Sequence, residues 1–173
     1  DKFPANLEEF LGLDFGGITV GGKVTEQVGV IGEKLELASY EKLEAPQVAP
    51  YIHMGNRAGV LVSLSKEGDD FFEAGRDAAM QVAAMHPIAV DKDGIDQTVI
   101  QKEIEIGMDQ ARQEGKPDNM LERIATGKLN KFFKEKTLLN QQFVKDSKQT
   151  IASFLQSKDP ELTITAFKHV TLG

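Results

Sequence analysis

Apolar positions along this chain repeat with two periods, and the switches between them outline its elements. Ala5 to Leu11 reads as a short helix, with Asn6 as N-cap and Glu9 three residues later. Val24, Val28 and Ile31 recur at i, i+4 and i+7, predicting a helix over 24–31 that Gly32 ends as a left-handed C-cap. Lys34 to Glu44 alternates, with Leu35, Leu37 and Ser39 against Ala38 and Tyr40, and is expected to be a strand broken at Glu44-Ala45-Pro46. Two further strands follow, Gln47 to His53 and Ala58 to Leu64. The second is almost continuous in Val and Leu, as a buried central strand is. Met54-Gly55-Asn56 joins them with residues that tolerate positive φ.

The helical period then returns. Phe71, Ala74, Ala78, Val82 and Met85 form one stripe of a helix over 70–85, with Ala79 and Ala83 beside it, and His86-Pro87 stops it. Between about 95 and 135 the seam Ile100, Ile104, Met108, Ala111 is answered by Leu121, Ala125, Leu129, Phe132 across a break at Gly115-Lys116-Pro117. This is a helical hairpin, read as an antiparallel coiled coil projecting from the body, with two helices lying on the domain surface as the alternative. Thr137 to Val144 is expected to be an extended return. Ser147 is placed to cap a short helix through Ile151, Phe154 and Leu155. Glu161 to Val170 has period 2, a strand with one face buried and His169 facing outward. The predicted class is α+β: a small antiparallel sheet with helices packed on one face, plus the projecting hairpin.

Composition narrows the chemistry. The 173 residues, 40% hydrophobic and 27% charged, suit a folded domain with an appendage. With no Cys there is no disulfide framework and no thiolate metal site, and a reducing compartment fits. A formal net charge of −7 argues against general nucleic-acid binding, which needs clustered Lys and Arg. No apolar run is long enough to span a bilayer, so the expectation is a cytoplasmic protein without membrane or nucleic-acid partners. Three dispersed histidines predict no metal centre and no cofactor. Two motifs are coincidental. Asp14-Phe15-Gly16 lacks every other kinase element. Gly17-x-x-x-x-Gly22-Lys23 is followed by Val24 where a phosphate loop needs a hydroxyl for Mg²⁺. Asp69-Asp70 and Glu103 with Glu105 read as solvated charge, and no catalytic residue is assigned. What stands out is the turn at 53–57, where an imidazole, a thioether and a guanidinium share one exposed tip: His53, Met54 and Arg57.

Several segments, in order, resemble one family. Tyr51-Ile52-His53 with Arg57-Ala58-Gly59-Val60-Leu61-Val62, Ala84-Met85-His86-Pro87, Gly115-Lys116-Pro117, Lys128-Leu129-x-Lys131-Phe132 and Leu139-x-x-Gln142-Phe143-Val144 are similar to bacterial elongation factor Ts, with Val30-Ile31-Gly32-Glu33 upstream. The resemblance covers essentially the whole chain. It implies a guanine-nucleotide exchange factor for elongation factor Tu, built on two related α+β subdomains with a helical hairpin projecting from the second. On this reading 1–45 is a truncated first subdomain, its helices and last strand, and 46–173 is the second with the hairpin inserted. The family's N-terminal three-helix module and its Thr-Asp-Phe-Val segment have no counterpart here, so the chain is expected to be a fragment with weakened exchange. By the same resemblance Gly32, at a turn, and His53 match residues facing Tu; Met54 and Arg57 are added as neighbours of His53 on its tip. The competing reading is a structural module that self-associates as a homodimer through the coiled-coil hairpin.

Overall fold

The computed structural model describes residues 3–172, the side chain of Met54 excepted. Its backbone packs as two separate units, one up to Lys42 and one from Leu43 onward.

In the first unit Asn6 caps α1 (Leu7–Leu11) by accepting from the Glu9 amide at 2.9 Å. The Glu9 carboxylate accepts from Ala5 N–H at 2.8 Å, one residue upstream of the usual capping-box partner. The glycines that imitate a phosphate loop do two ordinary jobs. Gly16 and Gly17, at φ +70° and +92°, turn the chain so that Asp14 and Thr19 bridge. Thr19 then accepts from the Gly22 amide at 3.0 Å and starts α2 (Val20–Ile31), four residues earlier than the apolar period alone indicates. Gly32 closes α2 at φ +77°, its N–H on the Val28 carbonyl, as expected.

The strand expected over Lys34 to Glu44 is not there: this stretch is extended but pairs in no ladder among the described residues. Alternation makes a segment compatible with a sheet; only a neighbouring strand makes it one. Leu35 and Leu37 instead line an apolar cavity of about 630 Å³ with Phe10, Leu13 and Val24, and Tyr40 stacks on Phe10 at 5.0 Å.

The second unit begins with β1 (Gln47–Ile52), the 3₁₀ turn Met54–Asn56 and β2 (Ala58–Leu64). Helix α3 (Asp69–Met85) follows, then the pair α4 (Gln97–Gln113) and α5 (Leu121–Lys136). The small ribbon β3 (Gln142–Phe143) and β4 (Asp146–Thr150), helix α6 (Ile151–Gln156) and β5 (Ile164–Thr171) complete it. The sheet is antiparallel in the order β1-β2-β5, so β2 is central. Val60, Val62 and Leu64 point from it into the core, with Ala78 and Val82 of α3 and Leu138, Ile151 and Leu155 closing the other sides. The expected α+β architecture, with helix against sheet and a helical hairpin, is present.

Helix α3 lies unusually near the sheet. A Cβ on Gly75 would stand 2.7 Å from Ala49 Cβ and 3.0 Å from Leu64 Cδ1. The predicted stripe is buried at Ala74, Ala78 and Val82, whereas Met85 leaves the sheet edge and is 45% exposed. On the neighbouring strand, β5 departs from strict alternation. Ser63 pairs with Ala166 but Leu64 with Ile164, so Thr165 is one residue too many. The buried Ser63 stitches this bulge, its Oγ 2.7 Å from Thr165 Oγ1 and donating to the Ala166 carbonyl at 3.0 Å. A bulge exchanges the two faces of a strand beyond it. Phe167 and His169 therefore face α3 beside Val62 and Val60, which corrects the expectation that His169 points outward.

Helices α4 and α5 turn back on one another across a Schellman cap, with Gly115 at φ +72° donating to Arg112 and Lys116 donating to Ala111. Ala111, Leu121 and Ala125 are buried in their seam, and a Cβ on Gly107 would come 3.1 Å from the Ala125 backbone. The feet of the pair are tied by Ile88 N–H to Lys136 and by Leu138 and Leu139 N–H to Ala89 and Val90. One start signal was misplaced: Thr150, not Ser147, caps α6 by accepting from Ser153 N–H, because Asp146–Thr150 is committed to the β3–β4 ribbon.

Candidate functional site

The hairpin turn between β1 and β2 is built by positive φ. Gly55 and Asn56 sit at +72° and +57°, and Asn56 N–H closes onto the His53 carbonyl at 3.0 Å. The turn is fixed from below by His53 N–H to the Ala58 carbonyl and Leu172 N–H to the Arg57 carbonyl, each 2.9 Å. His53 is half-buried, its Nδ1 within 3.3 Å of the Tyr51 hydroxyl, and Arg57 is exposed. His53 and Arg57 are thus brought onto one tip. Met54 contributes its backbone to the turn, while its side chain lies outside the described groups. Gly32 belongs to the other unit, at a turn where a Cβ would meet nothing within 4 Å and where Val30 and Ile31 are exposed.

Two apolar neighbours of the tip escaped the sequence reading. Ile52 is 63% exposed, and the register Ile52–Gly59–Val170 lays it in a row with Val170 on the sheet face away from α3. The signal was available in Ile52 following Tyr51: if Tyr51 faces the core, Ile52 cannot.

On the opposite face stands a second grouping that dispersed positions in the chain concealed. His169 stacks on His86 with ring centroids 5.2 Å apart. Its Nε2 is buried and has no hydrogen-bond partner. Burial first, then the His86 and His53 imidazoles, push its pKa below the ordinary histidine value. An unfolded chain therefore binds a proton here more readily than the folded one. The stabilising contribution is whole above about pH 6.5, the unfolded histidine value, and is lost as pH falls through the lower folded value. Urea midpoints measured from pH 7.5 down to 5 are expected to fall, and to fall less steeply in His169→Phe.

Fold and tip together define an α+β module that carries an inserted helical hairpin and presents a polar turn flanked by apolar side chains. The family model described as elongation factor TS matches residues 1–173. Elongation factor Ts of Christiangramia forsetii is 51% identical over 169 residues, covering 98% of this chain and 62% of that protein. That of Flavobacterium psychrophilum is 51% identical over 168 residues (97% and 61%), and that of Cytophaga hutchinsonii 49% over 174 (99% and 63%). The chain belongs to the elongation factor Ts family, and it spans about three fifths of the length of these relatives. Among the described residues no helix is long and apolar enough to cross a membrane, and no group of three His, Asp or Glu side chains is arranged to hold a metal ion.

Proposed function

We propose that this chain acts in translation elongation as a guanine-nucleotide exchange factor, binding elongation factor Tu and promoting release of its GDP in the cytoplasm. The observation that carries this reading is the family match along the entire chain. Exchange requires no covalent step. A factor that prefers the nucleotide-free conformation of its partner lowers nucleotide affinity by the same factor through linkage. What it needs is a surface that holds its shape. The 53–57 turn is held from below by two backbone hydrogen bonds, and its neighbours offer an imidazole, a guanidinium and the apolar Ile52. His53, Met54 and Arg57 are read as the contact on the second core subdomain (46–173), and Gly32 as a contact on the first (1–45).

The test is release of a fluorescent GDP from loaded Tu on rapid mixing. The chain is expected to raise the release rate in a saturable way. His53→Ala is expected to weaken half-saturation about tenfold, matching ~1.4 kcal/mol for loss of one central contact. Arg57→Ala is expected to act chiefly through association and to flatten the salt dependence. A release rate that ignores the chain at every concentration sinks the reading.

A further inference from the structure

All three histidines of the chain converge at one end of the sheet of the second unit. His169 reaches this place because the Thr165 bulge turns it toward α3. His86 reaches it as the C-cap of α3, held at φ +47°. His53 stands two residues beyond Tyr51, which shares a sheet face with Val60 and His169 through the register Tyr51–Val60–His169. His169 lies three residues before Leu172, whose amide holds Arg57. The ring stack and the backbone pins of the tip are thus parts of one joint.

We propose that the stacked His86 and His169 form one protonation-sensitive joint, which holds the 53–57 tip when His169 is uncharged and loosens it when His169 is charged. His86 and His169 are then positioning residues for that tip. The consequence for partner binding rests on the reading of the tip as a Tu contact.

The argument is geometric. An imidazolium at His169 would carry a second N–H at Nε2, a buried atom with no acceptor, and a buried donor left unsatisfied is costly. It would also lie 5.2 Å from the exposed His86 ring, which opposes charge on His169. The group that stacks on His169 is His86 from α3; His53 from the turn acts on it electrostatically, and the Tyr51 phenol of β1 lies on the same sheet face two strands away. The ladder partner of His169 across the face, Val60, is apolar. Burial, His86 and His53 are the influences that act on it, and all three oppose charge. Charging is relieved by parting the stack, which pulls the C-terminal half of β5 from α3 and with it the anchor of Arg57.

The experiment is an NMR titration of the His169 ring in the intact chain, with amide exchange at His53 and Leu172 measured at pH 7.5 and 5.5. In His86→Asn, which keeps a residue tolerant of left-handed backbone, the His169 midpoint is expected to rise by about one pH unit, the scale of a coupled pair. His53→Ala is expected to raise it less. Exchange at both amides, corrected for intrinsic chemistry, is expected to quicken several-fold at pH 5.5 in the native chain and much less in His86→Asn. An unchanged His169 midpoint in His86→Asn, or equal protection at the two pH values, overturns the proposal. Calorimetric binding to nucleotide-free Tu forms a separate arm. Weakening at pH 5.5 that His86→Asn relieves supports the link to the partner, and undiminished binding at pH 5.5 overturns it. No binding at pH 7.5 overturns the exchange-factor reading instead, while the titration still decides whether the histidines are coupled.

Discussion

Gly75→Val is expected to destabilise the second unit by about 3 kcal/mol or more, enough to unfold a large fraction of molecules in a domain of ordinary marginal stability. The reason is where the missing side chain would go. Its first carbon alone would lie 2.7 Å from Ala49 Cβ and 3.0 Å from Leu64 Cδ1, both on residues with no solvent exposure. Leu64 can rotate at its tip. Ala49 Cβ is fixed to the backbone of β1 and moves only if the strand moves. Because β1 is ladder-paired to β2 from Gln47 to Ile52, a displacement of Ala49 shears six pairs or lifts α3 from the sheet. Gly75→Ala separates this packing effect from helix propensity. In an open helix that substitution stabilises by about 0.5–1 kcal/mol. Here a net loss of about 1–2 kcal/mol is expected, read as a lower urea midpoint with unchanged slope. The double variant Gly75→Ala with Ala49→Gly should recover part of the loss, since the two positions share one contact. A stabilised Gly75→Ala would mean that α3 rides farther from the sheet.

The same residue marks the boundary of what the sequence discloses. The apolar stripe of α3 was legible from its 3.6-residue period, because burial of a helix face selects for that period whatever lies opposite. The distance of the helix from its sheet was not, since it depends on Ala49 meeting Gly75 across separate elements. The turn at 54–56 was legible, since Gly and Asn announce positive φ locally. The strand over Lys34 to Glu44 was misread for the converse reason: Leu35 and Leu37 alternate as strand residues do, but a ladder requires a partner that local sequence does not name. His169 was placed on the wrong face because period 2 was carried straight through Thr165. No feature of 161–170 announces a bulge; the residue that stabilises it, Ser63, lies on another strand about a hundred positions away. With that one parity error the histidine grouping disappeared, while the tip residues His53 and Arg57, neighbours in sequence, stayed visible.

The buried amide of Gln81 carries the last prediction. It has the spacing of the α3 stripe, three residues after Ala78 and four before Met85, yet it is polar and fully buried. The amide of Val144 donates to its Oε1 at 2.9 Å, which fixes the orientation of the side chain. Its Nε2 then donates to the Gln142 carbonyl at 3.0 Å and to Gln141 Oε1 at 3.1 Å. Gln141, also buried, donates onward to the Glu135 carbonyl at 2.8 Å, so one chain of hydrogen bonds links α3 to the return strand and to the foot of α5. Gln81→Leu fits in volume but strands an N–H, a backbone carbonyl and a side-chain carbonyl in the interior. At about 1–3 kcal/mol for each buried group left without a partner, partly relieved by local shifts, a loss of about 3–5 kcal/mol is expected. Hydrogen exchange should place it at the α5 foot and at 141–144 as well as in α3. Gln81→Glu gives a sign that no packing change can imitate. A carboxylate accepts from Val144 but cannot donate, and burial raises its pKa above the unfolded value of about 4.3. The folded variant therefore binds a proton that the unfolded chain has released. Its deficit relative to the native chain is largest at neutral pH and shrinks as pH falls through the raised value, because the neutral acid regains one donor. Urea titrations of both proteins at matched pH measure that difference directly. A deficit that stays constant between pH 8 and 5 would mean that water reaches this amide and that the network does not join the helical hairpin to the sheet domain.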